Sequence, residues 1–169
     1  MNLMLRPLTP QNRKALLALR VAKQQENFIE SVEQCLTEAK ADERWQPIGI
    51  YDGDQPVGFA MTGFFEKEYP TPLPPRKLKE GLTFCPQPGR VWLDRFLIDA
   101  QVQGRGYGKA ALDLLLRKLQ AQYPGREIYL SVYPENTAAI RLYQKFGFQF
   151  IEEKDPWRNS NGLLSAMSR

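Results

Sequence analysis

The sequence predicts a mixed α/β (α+β) domain built on one central sheet, and three observations carry that reading. The apolar run Val91–Ile98 leads into glycine-rich residues 104–108 and then a helix with Ala111, Leu112, Leu115, Leu116 and Leu119 on one face. Pro47–Tyr51 and Gln55–Phe65 flank Asp52-Gly53-Asp54, and Asp-Gly supplies the positive φ of a hairpin turn. Strand and helix patterns alternate from residue 91 onward, which favours strands laid side by side with helices packed over them.

Taken in order, Leu3–Pro7 reads as a short strand and Pro10–Val21 as a helix with leucines at 16, 17 and 19. Ser31-Val32-Glu33-Gln34 fits a capping box, so a second helix begins near residue 31, with Val32, Cys35, Leu36 and Ala39 at helical spacing. The hairpin follows. Residues 66–90 hold six of the thirteen prolines, Pro74-Pro75 among them, and read as a long loop without regular structure. After the strand–glycine–helix run, Arg126–Val132 is a strand and Asn136 caps a helix to about Phe146. Gly147 ends that helix before a strand over Phe148–Glu153 and a last short one over Leu163–Ser168. The order is βααβββαβαββ in a single domain, residues 1–169.

Composition narrows the chemistry. With 169 residues, 43% hydrophobic, the chain can bury a core without disulfides or metals. It has no stretch near the ~20 apolar residues that cross a bilayer. Its first residues lack a signal-peptide pattern, so a cytoplasmic address is expected. Cys35 and Cys85 have no metal-ligand spacing and read as ordinary thiols of a reducing compartment. Histidine is absent, which removes imidazole bases and ligands and leaves carboxylates, phenols and backbone amides. A net charge of +4 without a run of Lys or Arg is mild for a nucleic-acid binder; a solvated basic face or a polyphosphate ligand explains it equally.

The segment Gln103-Gly104-Arg105-Gly106-Tyr107-Gly108-Lys109 joins a buried strand to a helix N-terminus, where unpaired amides and the helix dipole favour phosphate. Turn chemistry alone would also account for the glycines. The spacing fits neither the phosphate loop of nucleoside triphosphatases nor the GxGxxG dinucleotide fingerprint.

Gln103-x-x-Gly106-x-Gly108 resembles the Q/R-x-x-G-x-G/A motif of the GNAT acetyltransferases, and Phe96–Ala100 resembles the strand that leads into it. Asn136-x-x-Ala139-x-x-x-Tyr143 with Phe146-Gly147-Phe148 resembles that superfamily's second signature, in the expected order. The resemblance covers residues 91–154 and, more loosely, the whole chain. It implies a central sheet split in a V between two parallel strands, with acetyl-coenzyme A as cosubstrate and no metal. Pantetheine would lie along Leu97 and Ile98, pyrophosphate on the amides of Gln103, Gly104, Arg105, Gly106, Tyr107 and Gly108, and Asn136 would touch the pantetheine arm besides capping its helix. The resemblance further implies an oxyanion donor in a backbone amide near Leu97 and a proton for the leaving thiolate from Tyr143, whose alternative role is a core tyrosine.

A general base is not singled out. Glu30 and Asp94 are the candidates; Asp94 has the alternative of pairing with Arg95 and Glu30 of supporting the second helix's N-terminus. A narrower resemblance, to bacterial diamine, spermidine and spermine N-acetyltransferases, rests on Asn27–Ser31, Pro56–Met61, Val91–Phe96 and Ile128–Ser131. It implies a polyamine acceptor held by Glu26, Glu30 and Asp94, with neither nucleic acid nor membrane as partner and a homodimer left open. Another amine, a protein N-terminus and a non-enzymatic coenzyme-binding module are the competing readings.

Overall fold

Side chains that close on their own backbone set the helix starts in the computed structural model. It describes residues 1–68 and 87–151 in full and the backbone of 76–77, 83–84, 152–154 and 162–166. The chain runs β1 (Leu3–Pro7), α1 (Pro10–Leu17), a 3₁₀ turn (Lys23–Gln25), α2 (Val32–Ala41), β2 (Gln46–Asp52) and β3 (Gln55–Phe65). Then come β4 (Arg76–Lys77), β5 (Thr83–Phe84), β6 (Arg90–Ile98), α3 (Tyr107–Gln122), β7 (Ile128–Val132), α4 (Thr137–Lys145), β8 (Gln149–Lys154) and β9 (Gly162–Ala166). Ser31 and Gln34 form the expected capping box, and Thr9 with Asn12 forms another that the sequence reading missed.

Two boundaries and one loop differ from expectation. α1 stops at Leu17 rather than Val21 because Arg20 is captured elsewhere: its N–H donates to Asp99 Oδ2 (3.0 Å) and its carbonyl accepts from Ala100 N–H (2.7 Å). β7 starts at Ile128, since the Arg126 N–H turns back to the Tyr123 carbonyl (3.2 Å) and closes the end of α3. Within residues 66–90 the two-residue antiparallel ladder of β4 and β5 is an addition to the expected loop; Pro74, Pro75 and Cys85 lie outside the described residues.

The described chain forms two compact units. The first, Met1–Gly63 with Leu93–Arg117, holds the strand order β1-β2-β3-β6. Its antiparallel pairs run from Leu3↔Asp52 to Pro7↔Ile48 and from Gln46↔Thr62 to Asp52↔Gln55, closed by Gly53 at φ 59°. Leu16 of α1, Leu19 just after it, and Val32, Cys35 and Leu36 of α2 pack on Tyr51, Phe59, Met61 and Leu97 from the strands. Burying such side chains stabilises the unit by about 1.5–3 kcal/mol each, before the entropy of ordering them is subtracted.

The second unit, Phe64–Trp92 with Lys118–Arg169, holds the order β6-β7-β9-β8. Here β6 and β7 are the parallel pair, through Val91↔Ile128 and Trp92↔Tyr129, while β6 itself runs on to Ile98. β9 lies antiparallel to both β7 and β8, so the sheet is mixed. A buried polar group sits against it: the Tyr129 hydroxyl donates to Glu127 (2.6 Å), and the Arg90 guanidinium lies 4.5 Å from the Tyr129 ring centre. Among the described residues no helix is long and apolar enough to cross a membrane.

Candidate active site

In the first unit, β6 carries Leu97 and Ile98, both buried, to the point where the chain turns into the glycine loop. Gly58 on β3 makes room for them, because a β-carbon there would stand 2.6 Å from the Leu97 carbonyl oxygen. Asp99 shapes the turn. Its carbonyl accepts from the N–H groups of Val102 (3.0 Å) and Gln103 (3.2 Å), and its Oδ1 from that of Gln101 (2.9 Å).

Gly104 and Gly106 then take φ of 76° and 87°, the left-handed region that costs other residues strain. Space is not what demands glycine there: a β-carbon at Gly104 would meet nothing within 4 Å, and one at Gly106 would meet only Met1 Cε at 4.0 Å. The loop therefore leaves one side open over the first turn of α3, whose leading amides have no acceptor inside the helix. That arrangement suits a pyrophosphate. Tyr107 fastens the helix start to the β2–β3 turn by donating its hydroxyl to Asp52 (2.6 Å), a bond that lowers the Asp52 carboxyl and raises the Tyr107 phenol. The Gln103 side chain ties the loop to its surroundings: its Nε2 donates to the Ile98 carbonyl (2.8 Å) and to Gln25 Oε1 (2.8 Å).

Farther back on β6, Arg95 gathers carboxylates from three places. Its side chain is 4% exposed, and it pairs with Glu30 just before α2 (2.8 Å), Glu38 within α2 (3.0 Å) and its neighbour Asp94. Burial opposes the guanidinium's charge, but Asp94, Glu30 and Glu38 outweigh it and hold the cation firmly protonated. Among the described residues, three carboxylates thus gather on one guanidinium. Cys35 lies close enough to feel the same field, and chiefly through burial its thiol is pushed up to about 12, so it stays an inert thiol.

The structure thus brings Glu30 and Asp94 onto one partner, and the expected Asp94–Arg95 pair is present. Glu26 stands exposed after the 3₁₀ turn and is not among the partners of Arg95. Glu38 and the gathering role of Arg95 were missed from sequence. The available signal was two adjacent charges inside an otherwise apolar strand, which must find partners if they are to be buried. Among the described residues, no group of three or more His, Cys, Asp or Glu could hold a metal ion.

In the second unit, Asn136 Oδ1 accepts from the Ala139 N–H (3.2 Å), so it is the N-cap of α4. One face of α4 buries Tyr143, 8% exposed, with its ring 5.7 Å from that of Phe148. The chain returns to that residue: the Phe146 and Phe148 N–H groups both donate to the Tyr143 carbonyl (2.9 and 3.2 Å). Burial pushes the phenol well above its ordinary range.

Residues 13–148 match the model of the acetyltransferase (GNAT) family. The chain is 42% identical over 155 residues to the spermine/spermidine N(1)-acetyltransferase of Bacillus subtilis, covering 92% of this chain and 93% of that one. Among solved structures it resembles PaiA N-acetyltransferase from Thermoplasma acidophilum in complex with coenzyme A (TM-score 0.62, 14% identity, 99% of each chain covered). It also resembles Arabidopsis thaliana NAA60 in complex with acetyl-CoA (TM-score 0.64, 16% identity, 98% of each chain covered). At those identities the structures speak for the fold, and the family match and the Bacillus relative carry the rest. The chain belongs to the acetyltransferase (GNAT) family and is an acetyl-CoA-dependent N-acetyltransferase.

Proposed function

We propose that the acceptor is a polyamine such as spermidine or spermine, acetylated on a primary amine. The observation that carries this reading is the gathering of three carboxylates, Glu30, Glu38 and Asp94, at Arg95 on β6, beside the end of α2 that begins at the capping box. A substrate with several ammonium groups needs such partners, because its distal charges must be held while the reacting nitrogen sheds a proton and its water. The name of the Bacillus subtilis relative points to the same substrate class.

In this reading the neutral amine attacks the thioester carbonyl carbon, and a backbone N–H near Leu97 stabilises the oxyanion. The carbon–sulfur bond then breaks, and the thiolate takes a proton from Tyr143, whose burial keeps the phenol protonated at neutral pH. Glu30 or Asp94 receives the proton that the nitrogen loses, directly or through water, and returns it to the tyrosine through solvent. Glu26 would meet a distal ammonium. Acetyl-coenzyme A lies along Leu97 and Ile98 with its pyrophosphate on the amides of residues 104–108, the Gln103 N–H being taken by the Asp99 carbonyl, and Asn136 borders its pantetheine arm. A reducing, cytoplasmic setting fits the thiols, and neither nucleic acid nor membrane is needed as a partner.

Neutralising one carboxylate tests the reading. Glu38 is the safest choice because it is 43% exposed, whereas Asp94 and Glu30 also balance a buried cation whose loss of a partner costs about 3–5 kcal/mol of stability. Glu38→Gln is expected to raise the KM for spermidine about tenfold, as a charge-assisted hydrogen bond is worth, and to leave that for acetyl-coenzyme A within twofold. Glu30→Gln should do the same where it folds. An unchanged spermidine KM in both, or wild-type protein acetylating peptide N-termini far faster than any polyamine, would overturn the acceptor assignment.

A further inference from the structure

The turn after β6 does more than present glycines. It grips the segment between α1 and α2 at two places: Asp99 and Ala100 take both backbone groups of Arg20 (3.0 and 2.7 Å), and Gln103 takes the side chain of Gln25 (2.8 Å). A primary amide nitrogen carries two hydrogens. Gln103 spends one on the Ile98 carbonyl and the other on Gln25, so its nitrogen has no donor left for a coenzyme.

From Gln25 the contacts continue toward the carboxylates. The Gln25 carbonyl accepts from the Phe28 N–H (2.9 Å), and two residues later Glu30 reaches Arg95 (2.8 Å) immediately ahead of the capping box that starts α2. A restraint placed on the glycine loop is therefore connected, through one carboxamide, to the stretch carrying Glu26 and Glu30.

We propose that Gln103 is a positioning residue that couples the seating of coenzyme on residues 104–108 to the ordering of residues 20–31. Coenzyme bound to the loop amides fixes the loop, Gln103 passes the restraint to Gln25, and the acceptor-facing carboxylates are held in place for the second substrate. The first half rests on the coenzyme site and the second half on the acceptor reading above, so the two are tested separately. The chemistry asks for at least two donors on one side chain. Glutamine and arginine both supply them, whereas methionine keeps the length and supplies none.

Hydrogen exchange on the full chain, with and without saturating coenzyme A, reads the coupling without any acceptor. In the wild type coenzyme A should slow exchange in 103–110 and also in 20–31. In Gln103→Met it should slow only the former, with coenzyme affinity kept within about twofold. Gln103→Arg should restore the slowing of 20–31, and Gln25→Met should reproduce the Gln103→Met pattern although it lies outside the coenzyme loop. In turnover assays each Met variant should raise the spermidine KM about two- to tenfold, the range of one or two neutral hydrogen bonds, and the double variant should lose no more than either single one.

Equal slowing of 20–31 in Gln103→Met, or a Gln25→Met variant that behaves as wild type, would overturn the coupling. A Gln103→Met variant that loses coenzyme affinity by an order of magnitude would make Gln103 a coenzyme contact instead. If the exchange pattern holds while spermidine proves a poor acceptor, the coupling stands and the acceptor assignment fails.

Discussion

At Tyr143 burial sets the protonation state. Taking a phenol out of water penalises its anion, so the hydroxyl stays protonated well beyond neutral pH, which suits the proposed proton donation to a departing thiolate. Tyr143→Phe keeps the ring against Phe148 and removes only the donor. The expected result is a fall in kcat of roughly a hundredfold, the low end of general acid catalysis, with coenzyme affinity within about twofold. The pH profile gives a second handle. Because the phenol is shifted upward, the wild type should show no alkaline fall in kcat from this group up to about pH 10, and kcat/KM for the amine should rise with pH as the ammonium near pKa ~10.4 deprotonates. Wild-type turnover in Tyr143→Phe would assign the proton to water and leave the tyrosine a purely packing role.

At the scale of elements, backbone conformation shapes the loop into α3, where the coenzyme is proposed to bind. Gly106 has open space beside it and a φ of 87°, so a β-branched residue there is strained by conformation and also projects over the amides. Gly106→Val should raise the Kd for acetyl-coenzyme A at least about tenfold by calorimetry. Gly125, at φ 72° in the turn after α3, is the control: Gly125→Val is strained alike and should lower Tm without weakening the coenzyme. Unchanged affinity in Gly106→Val would separate the loop from the pyrophosphate.

These loops and caps were legible in sequence because their signals are local: Ser31 meets Gln34, Asn136 meets Ala139, and Asp52-Gly53 closes its own hairpin. What escaped was made by residues far apart in the chain. Arg20 meets Asp99 across 79 positions, Gln25 meets Gln103 across 78 and Glu38 meets Arg95 across 57. No periodicity announces such pairs; they exist only once the strands bring the ends together. The overrun of α1 has the same origin, since leucine spacing favours helix through Val21 and a distant aspartate withdraws Arg20 from it. Coenzyme chemistry was therefore readable from a motif, whereas the Glu38–Arg95 and Gln25–Gln103 contacts were not.

At the scale of the whole molecule, the proposed polyamine acceptor would make two substrates of opposite charge approach a chain of net charge +4. Acetyl-coenzyme A, a polyanion, is drawn both by that global field and by its local amides. A polyamine is repelled by the global field and attracted by the carboxylates around Arg95, so its two electrostatic terms oppose. Salt discriminates between them, since the Debye length falls from about 30 Å at 0.01 M to about 10 Å at 0.1 M and screens distant charges more than pairs in contact. Between about 20 and 200 mM sodium chloride, the KM for acetyl-coenzyme A should therefore climb more steeply than the KM for spermidine, whose lost attraction is partly offset by relief of repulsion. The contrast should sharpen in Glu38→Gln, where the local attraction is smaller and the spermidine curve flattens further. Initial-rate kinetics over that salt series checks it, and a spermidine KM rising more steeply than that of the coenzyme would show that the carboxylates do not oppose the net charge in the way their placement implies.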